Sequence, residues 1–214
     1  MPLLDPTSTK PIHFQGIAGA GMSALAELCH RRGATVTGCD QNPDGAADLV
    51  ALGIAVQKGH DPAHLHGHRA LVVSSAIPKD HPEILRARAL GLEVVRRAEA
   101  LAEATAGGML IGVAGTHGKS TTTVMTTEAL AAAGKNPTGV VGARVTAWGG
   151  NLSTGGHDVF VVEADEYDRS FLALTPTVAV VTNVEADHLD IYRDLQDIHE
   201  TFSEYVGRAR SSGR

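Results

Sequence analysis

The stretch GVAGTHGKSTTT, residues 112–123, decides the fold of the second half of the chain. It joins the apolar run Met109–Gly115, which has the pattern of a buried strand, to a helical pattern that runs from Lys119 to about residue 133. A glycine-rich loop between a strand and a helix is typical of phosphate binding, because the N–H groups at a helix start attract anions. The stretch therefore predicts a nucleotide-binding α/β unit.

This loop departs from the commonest phosphate-loop pattern at one position. Gly118, Lys119 and Ser120 fit the GK[ST] end of the pattern, whereas Val113 stands where an upstream glycine is usual. Gly115 and Gly118 still permit the backbone angles that wrap amide groups around phosphates. In such a loop Lys119 would reach the β- and γ-phosphates, and the Ser120 hydroxyl would bind Mg²⁺.

Two further apolar strands of this unit, predicted at 158–165 and 177–187, end in charged residues. We expect these strand ends to face the triphosphate. Mg²⁺ takes only one or two carboxylates, so most of the acids should cap helices, form salt bridges or be solvated. The charged residues are Glu163, Asp165, Glu166 and Asp168 after the first strand, and Glu185, Asp187, His188 and Asp190 after the second.

The first half alternates short Val/Ile-rich runs with Ala/Leu-rich helical patterns, which predicts a parallel sheet with crossover helices. Gly33 suits a left-handed helix end. Predicted strands cover 12–17, 35–40, 54–57, 70–77 and 93–97, and predicted helices cover 22–32, 46–53, 82–91 and 98–106.

A second glycine loop, Gly16–Gly21, joins the first strand to the first helix. The dinucleotide fingerprint requires glycine at positions 16, 18 and 21, but position 18 is Ala18. Three interpretations stay open at this point: an NAD site, a structural tight turn, or a site for another nucleotide diphosphate. Asp40, at the end of the second strand, is placed to accept a hydrogen bond from a ribose or a base.

We therefore predict an α/β fold: a Rossmann-like parallel-sheet domain over residues 1–106, followed by an incomplete P-loop ATPase domain over 107–214. The boundary is placed at Gly107 and Gly108, where a helical pattern ends. The segment ARVTAWGGNLSTGG, residues 143–156, is turn-rich and is expected to be a loop or a hairpin.

Composition narrows the class of protein. The net charge of −6 argues against nucleic acid as the main partner. No apolar run reaches the roughly 18 residues that span a bilayer, and the N-terminus has no signal layout, so we expect a cytoplasmic protein.

Cys29 and Cys39 form no CxxC pair and are expected to be reduced, buried thiols. Four histidines in the stretch His60–His68 match no zinc spacing, and we expect a solvated loop there.

These motifs, in this order and spacing, resemble the Mur ligase family of peptidoglycan synthesis over nearly the whole chain. Ser120 stands where the family usually has threonine. The matching segments are HFQGIAGAGMSALAEL (13–28), VVSSAI (72–77), VVRRAEALAE (94–103), GVAGTHGKSTTT (112–123), VVEADEYDRSFL (161–172) and VVTNVEADHLDIY (180–192).

The resemblance implies an ATP- and Mg²⁺-dependent ligase that joins L-alanine to UDP-N-acetylmuramate through an acyl phosphate. It implies that Lys119, Glu163 and His188 are catalytic and that Ser120, Glu163 and His188 bind metal. The implied ATP-binding residues are Gly115, Thr116, His117, Gly118, Lys119, Ser120 and Thr121. The implied UDP-substrate residues are Gly16, Ala18, Gly19, Ala20, Gly21, Met22, Asp40, Ser74 and Ser75.

The same resemblance implies three domains, of which this sequence would hold the first and part of the second. We therefore expect a truncated form that binds substrates and need not turn them over. The alternatives are another ligase of the superfamily, such as a muropeptide ligase, a non-catalytic nucleotide or UDP-sugar binding module, and a P-loop kinase. No membrane partner is expected, and these residues do not determine the oligomeric state.

Overall fold

The computed structural model describes residues 3–5, 7–75 and 77–209. Ala76, within the segment 72–77, and both chain ends included in the predicted domains lie outside the described residues. The chain divides into two compact units, Met1–Ala104 with Gly149–Asn151, and Thr105–Trp148 with Leu152–Arg214. The predicted boundary between residues 106 and 107 stays a prediction. None of the described helices is long and apolar enough to cross a membrane.

The first unit contains a five-stranded parallel sheet in the order β3-β2-β1-β4-β5. This order places β1 at the centre, where its residues and those of β4 are buried along their whole length. The predicted Rossmann-like α/β sheet is therefore confirmed. Its strands are β1 (Ile12–Gln15), β2 (Val36–Asp40), β3 (Ala55–Lys58), β4 (Ala70–Val73) and β5 (Glu93–Arg96).

Amphipathic helices supply the rest of the first core. They are α1 (Ala20–Arg31), α2 (Ala47–Ala51), α3 (Pro82–Ala89) and α4 (Arg97–Ala104), with 3-10 turns at Pro43–Ala46 and Pro62–Leu65. α1 buries a stripe of apolar residues, among them Leu25, Leu28 and Cys29, and packs against α4. Gly33, just past α1, has φ +90°, as the predicted left-handed helix end requires.

A second five-stranded sheet has the order β10-β6-β9-β7-β8, and its first four strands pair in parallel. Because β9 and β10 flank β6, the two charged strand ends do border the glycine loop that follows β6. The elements are β6 (Met109–Ala114), α5 (Lys119–Ala132), β7 (Thr138–Val145), β8 (Gly150–Ser153), β9 (Val159–Glu163), β10 (Val178–Val181) and α6 (Leu195–Gly207), with 3-10 turns at Thr146–Trp148 and Tyr167–Ala173.

The segment 143–156 is a hairpin, one of its two predicted forms: it holds the end of β7, a short 3-10 turn and β8, and β7 and β8 are neighbours in the sheet. Two other strand predictions are corrected. The strand predicted over 177–187 ends at Val181, because the chain then turns to bind the glycine loop. β7 itself was not predicted, since its glycines Gly139 and Gly142 hide the β pattern.

The histidine-rich segment of the first unit is also corrected. His60, His64 and His68 are partly buried, and His66 is exposed, so the expected solvated loop is wrong for three of the four. The rings of His64 and His68 face His13, which is fully buried on β1, whereas the His60 ring packs edge-on against His81. Burial lowers the pKa of His13 to about 3, and burial raises the pKa of the neighbouring Glu83 to about 7.

Candidate functional site

The loop after β6 has the backbone geometry of a phosphate-binding loop. Gly115 has φ +137° and Gly118 has φ +80°, and Gly118 is the residue that caps the start of α5. A Cβ at Gly115 would overlap the hydroxyl of Thr182, so glycine is required there for space as well as for conformation. The first N–H groups of α5 have no intrahelical acceptors and point into this loop, as an anion site requires.

The end of β10 holds the loop in place. Thr182 donates its hydroxyl to the His117 carbonyl at 2.6 Å, and the Asn183 side chain accepts the His117 N–H at 2.9 Å and donates back to the His117 carbonyl at 3.1 Å. The Thr116 hydroxyl accepts the Glu185 N–H at 2.9 Å. Thr116 and His117 therefore help to fix the conformation of the loop. Thr182 and Asn183 support it, and their role was not predicted from the sequence.

Ser120 and Glu163 meet beside the start of α5. The Ser120 hydroxyl donates to Glu163 Oε2 at 2.9 Å, and the Gly142 N–H donates to the same oxygen at 2.8 Å. β9 positions Glu163 at its carboxyl end, next to β6 in the sheet. The structure thus brings together two of the three predicted metal ligands.

Lys119 is paired with Glu166, an acid at the predicted strand end to which the sequence alone gave no role. Its ammonium donates to Glu166 Oε1 at 2.8 Å and to the Gly115 carbonyl at 2.7 Å. The Glu166 side chain is only 4% exposed, and its Oε2 is buried without a hydrogen-bond partner among the described residues. Glu166, the residue just before the 3-10 turn Tyr167–Ala173, is therefore part of the site.

His188 lies on the Glu166 side of the loop. Its Nε2 is 3.9 Å from Glu166 Oε1, and its ring packs edge-on against Tyr167 with centroids 5.2 Å apart. His188 has φ +51°, a left-handed conformation that costs energy for a non-glycine residue and is typical of functional positions. His188 thus meets Glu166, whereas Ser120 meets Glu163.

These residues fit Mg²⁺ and a nucleotide triphosphate. The Ser120 hydroxyl and the Glu163 carboxylate are hard oxygen ligands within hydrogen-bond distance of each other, which leaves the remaining positions for water and phosphate oxygens. Glu166 Oε2, which has no hydrogen-bond partner among the described residues, and the nearby His188 Nε2 offer two more possible metal ligands close to Lys119. Thr121, exposed in the first turn of α5, can contribute its N–H and hydroxyl.

The first glycine loop, in the other unit, is shaped mainly by Asp40. One Asp40 oxygen accepts the Ala18 N–H at 3.0 Å and the other accepts the Asn42 N–H at 2.9 Å. Gly16 has φ +71°, and its N–H donates to the Cys39 carbonyl. In this structure the Asp40 carboxylate therefore orders the loop backbone rather than standing free for a ribose.

The side chain of Arg97 lies close to the start of α1, the helix that follows this loop. A Cβ built on Gly21 would lie 2.8 Å from Nη1 of Arg97, the first residue of α4. Gly19 and Ala20 are exposed beside it, whereas the Met22 side chain is buried, so Met22 can offer a ligand only its backbone. Arg97 is a candidate diphosphate ligand that the sequence analysis quoted in a matching segment but did not assign.

Ser74 and Ser75 follow β4 at the same edge of the first sheet. Ser74 is partly buried and lines a cavity of ≈ 480 Å³ with Lys79, Arg88 and Arg96, which gives this cavity a basic lining. The basic side chains suit a phosphate or a carboxylate.

Comparisons with known proteins cover nearly the whole chain. Residues 11–108 match the family model described as Mur ligase family, catalytic domain, and residues 113–214 match the model of the Mur ligase middle domain. UDP-N-acetylmuramate–L-alanine ligases of Frankia casuarinae and of an Arthrobacter strain are 47% identical over 213 residues and 49% identical over 196 residues. These alignments cover 96% and 91% of this chain, and 42% of either relative, so the chain spans about two fifths of their length.

Two solved structures have the same fold. UDP-N-acetylmuramate:L-alanyl-γ-D-glutamyl-meso-diaminopimelate ligase from Neisseria meningitides superposes with a TM-score of 0.86 at 33% identity, covering 96% of this chain and 70% of that one. UDP-N-acetylmuramate–alanine ligase MurC from Thermotoga maritima superposes with a TM-score of 0.85 at 30% identity, covering 93% of this chain and 47% of that one.

Proposed function

The chain belongs to the Mur ligase family, and from this premise we propose that it carries the UDP-substrate and ATP sites of a ligase that joins L-alanine to UDP-N-acetylmuramate. The observation that carries the proposal is the convergence of Lys119, Ser120, Glu163 and Glu166 on one glycine loop. The names of relatives up to 49% identical support the choice of L-alanine as the added amino acid. Both nucleotide substrates are cytoplasmic, which supports a cytoplasmic location.

In the proposed reaction, the γ-phosphoryl group of ATP passes to the lactyl carboxylate of UDP-N-acetylmuramate and ADP leaves. The amine of L-alanine then attacks the acyl phosphate, phosphate leaves, and an amide forms. The residues present act by positioning and by neutralising charge, which is what phosphoryl transfer needs. Bound Mg²⁺ would offset the phosphate charge and hold the reacting oxygens.

Each loop residue has a defined part in this proposal. The N–H groups of Gly118 to Thr121 bind the phosphates, and Lys119 turns from Glu166 to the transferring phosphoryl group. Ser120 and Glu163 would hold one metal ion. His188 would hold a second metal ion together with Glu166, which we add to the site.

In the first unit, the N–H groups at the start of α1 bind the UDP diphosphate, with the Arg97 guanidinium as a charge partner. Arg97 supports this role because it lies directly over Gly21, where an anion at the helix start would sit. Ser74 and Ser75, at the same sheet edge, are proposed to bind the same substrate.

The test is calorimetric titration of the chain with UDP-N-acetylmuramate, NAD and Mg-ATP. We expect binding of the UDP-sugar and of Mg-ATP but not of NAD. Arg97→Ala should weaken UDP-sugar binding by about 10-fold or more, in line with about 1.5–3 kcal/mol for a hydrogen bond to a charged group. Arg31→Ala, at the far end of α1, is the matched control and should leave the affinity unchanged. Binding of NAD instead would overturn the proposal in favour of a dinucleotide-binding module.

A peptide ligase is the second candidate, because the Neisseria enzyme superposes on nearly the whole chain. The two candidates share UDP-N-acetylmuramate and ATP and differ in the second substrate, a single amino acid or a peptide. ADP release in the presence of L-alanine, compared with release in the presence of L-alanyl-γ-D-glutamyl-meso-diaminopimelate, separates them. Release that depends on the peptide alone would overturn the assignment of L-alanine.

A further inference from the structure

A buried group of four metal-binding side chains lies in the first unit, apart from the residues assigned to either nucleotide. Cys39 Sγ is 3.3 Å from Glu83 Oε1, and His13 Nε2 and His64 Nδ1 are each 3.9 Å from the same oxygen. One ligand atom from each of the four residues lies within 4.8 Å of all the others. β1, β2, the 3-10 turn Pro62–Leu65 and the first turn of α3 each supply one residue.

The donor set has the chemistry of a tetrahedral zinc site, and the upper limit of its ligand spacings, 4.8 Å, is about 1 Å wider than such a site needs. Zinc takes thiolate, imidazole and carboxylate ligands at about 2.0–2.3 Å, so tetrahedral ligands lie roughly 3.3–3.8 Å from one another. The distances to Glu83 Oε1 are 3.3, 3.9 and 3.9 Å. Mg²⁺ and Ca²⁺ prefer oxygen ligands alone, so a sulfur and two nitrogens select against them.

Two of the ring nitrogens have no other partner. His13 Nε2 and His64 Nδ1 are buried and make no hydrogen bond within the described part of the chain, and His13 is 0% exposed. Both atoms are aimed at Glu83, yet 3.9 Å is too long for a hydrogen bond. A cation between them would satisfy both lone pairs, which are otherwise costly to bury.

The second ring nitrogen of His13, Nδ1, is hydrogen-bonded, as is usual in metal-binding histidines. Its Nδ1 is 2.8 Å from the Thr37 hydroxyl, which is 2.7 Å from His68 Nε2. We assign the proton to His13 Nδ1, donated to Thr37, which in turn donates its own proton to His68. This tautomer leaves the lone pair of His13 on Nε2, and partners of this kind fix the orientation of ligating rings.

Glu83 carries the negative charge that the other groups of the cluster must offset. Its side chain is fully buried, and its recorded ion-pair partners among the described residues are the histidines His13, His60 and His64. With neutral imidazoles, this buried carboxylate has the Cys39 thiol, a weak donor at 3.3 Å, to offset its charge, whereas a divalent cation compensates both the carboxylate and a Cys39 thiolate. The thiol proton is released to solvent when the metal binds.

We propose that His13, Cys39, His64 and Glu83 bind one zinc ion in a structural site. Four protein ligands close the coordination shell, which is typical of structural rather than catalytic zinc. The Cys39 carbonyl accepts the N–H groups of Gly16 and Ile17 at 2.8 and 3.1 Å. The ion would therefore fasten β1, β2 and α3 together at the root of the first glycine loop.

The test is a competition titration of the metal-free chain with Zn²⁺ against a chromophoric chelator, with metal content checked by elemental analysis. We expect one zinc per chain and a higher melting temperature with zinc than without it. Co²⁺ should give a tetrahedral spectrum with a thiolate charge-transfer band. The Cys39→Ala and His64→Gln variants should lose more than 100-fold in affinity, since outer-shell changes alone cost about 10–100-fold.

Matched controls come from the same unit. Cys29→Ala removes the other buried cysteine, and His66→Gln removes the exposed histidine of the same segment; both should keep full affinity. Thr37→Val should weaken zinc by about 10–100-fold while all four ligands remain. Zinc affinity equal in His64→Gln and His66→Gln, or cobalt binding without a thiolate band, would overturn the proposal. So would a wild-type chain that retains no zinc under competition.

Discussion

At the level of single residues, the two partners of the Lys119–Glu166 ion pair differ in burial, and the effect of this difference on stability can be tested. The Glu166 side chain is 4% exposed and the Lys119 side chain is 15% exposed, so the carboxylate has less access to water. Removing the lysine leaves a buried charge unpaired, which typically costs about 3–5 kcal/mol. Lys119→Met should therefore lower the free energy of unfolding in urea by about 3 kcal/mol, and Glu166→Gln by less.

The double variant provides the check on this pair. Lys119→Met with Glu166→Gln should recover part of the stability that Lys119→Met loses, because no unpaired charge remains. Mg-ATP binding should be lost in both variants that lack Lys119. A larger loss of stability in Glu166→Gln than in Lys119→Met would contradict the idea that the carboxylate is the more deeply buried partner.

Asp197 gives a pH prediction for the second unit. Arg169 donates to both Asp197 oxygens at 2.8 Å, and this hydrogen bond holds the pKa of Asp197 at about 2, below its usual 3.8. A lowered folded-state pKa adds stability above the unfolded value that is lost as the pH falls through the folded value. Unfolding free energy should therefore fall between pH 4 and pH 2, and Asp197→Asn should flatten this fall.

The control for Asp197 is an exposed ion pair on the same helix. Glu204 pairs with Arg208 at 2.7 Å, but its side chain is 52% exposed, and such pairs contribute little. Glu204→Gln should leave the acid limb of the stability profile unchanged. An identical acid limb in the wild type and Asp197→Asn would show that the pair does not act through this titration.

At the level of secondary-structure elements, Gly112 of β6 leaves the space that the Tyr205 side chain of α6 occupies. A Cβ on Gly112 would overlap the hydroxyl of Tyr205, which is fully buried and has no hydrogen-bond partner within the described part of the chain. Gly112→Ala should therefore destabilise the second unit by about 1–3 kcal/mol, the usual cost of overpacking. Urea denaturation measures the loss.

A double-mutant cycle attributes this cost to its cause. Tyr205→Phe removes an unsatisfied hydroxyl and should be nearly neutral. Gly112→Ala should cost less in the Tyr205→Phe background, because the nearest remaining ring atom is 3.4 Å from the new Cβ. Gly207→Ala, with no atom within 4 Å of its Cβ, serves as the control. Additive losses in the cycle would rule out the contact as the cause.

At the scale of the whole molecule, the two units should respond to different ligands. Hydrogen exchange with Mg-ATP should slow at residues 115–121, and exchange with UDP-N-acetylmuramate should slow at residues 16–21, because each ligand takes up backbone N–H groups of its own loop. Lys119→Ala should remove the first protection and keep the second. Protection of both loops by either nucleotide alone would contradict separate sites.

The two α/β units, the phosphate loop and the acidic strand ends could be predicted from the amino-acid sequence, because they depend on local patterns. The phosphate loop is predicted with few alternative interpretations, because glycines at 115 and 118 follow an apolar strand and precede a helix. The sequence also predicted Ser120 and Glu163 as partners, and they do meet. Parallel strands bring their ends to one edge, so residues far apart in the chain converge without specific long-range signals.

Three features could be seen only in the folded chain: the acid that pairs with Lys119, the arginine that lies over Gly21, and the side chains that surround His13. Glu166 differs from its acidic neighbours by its burial, and Arg97 reaches the first loop from another helix. The four proposed zinc ligands, His13, Cys39, His64 and Glu83, match no zinc spacing because four separate elements supply them. Side-chain environments of this kind arise from packing between distant segments, and no local pattern in the chain encodes them.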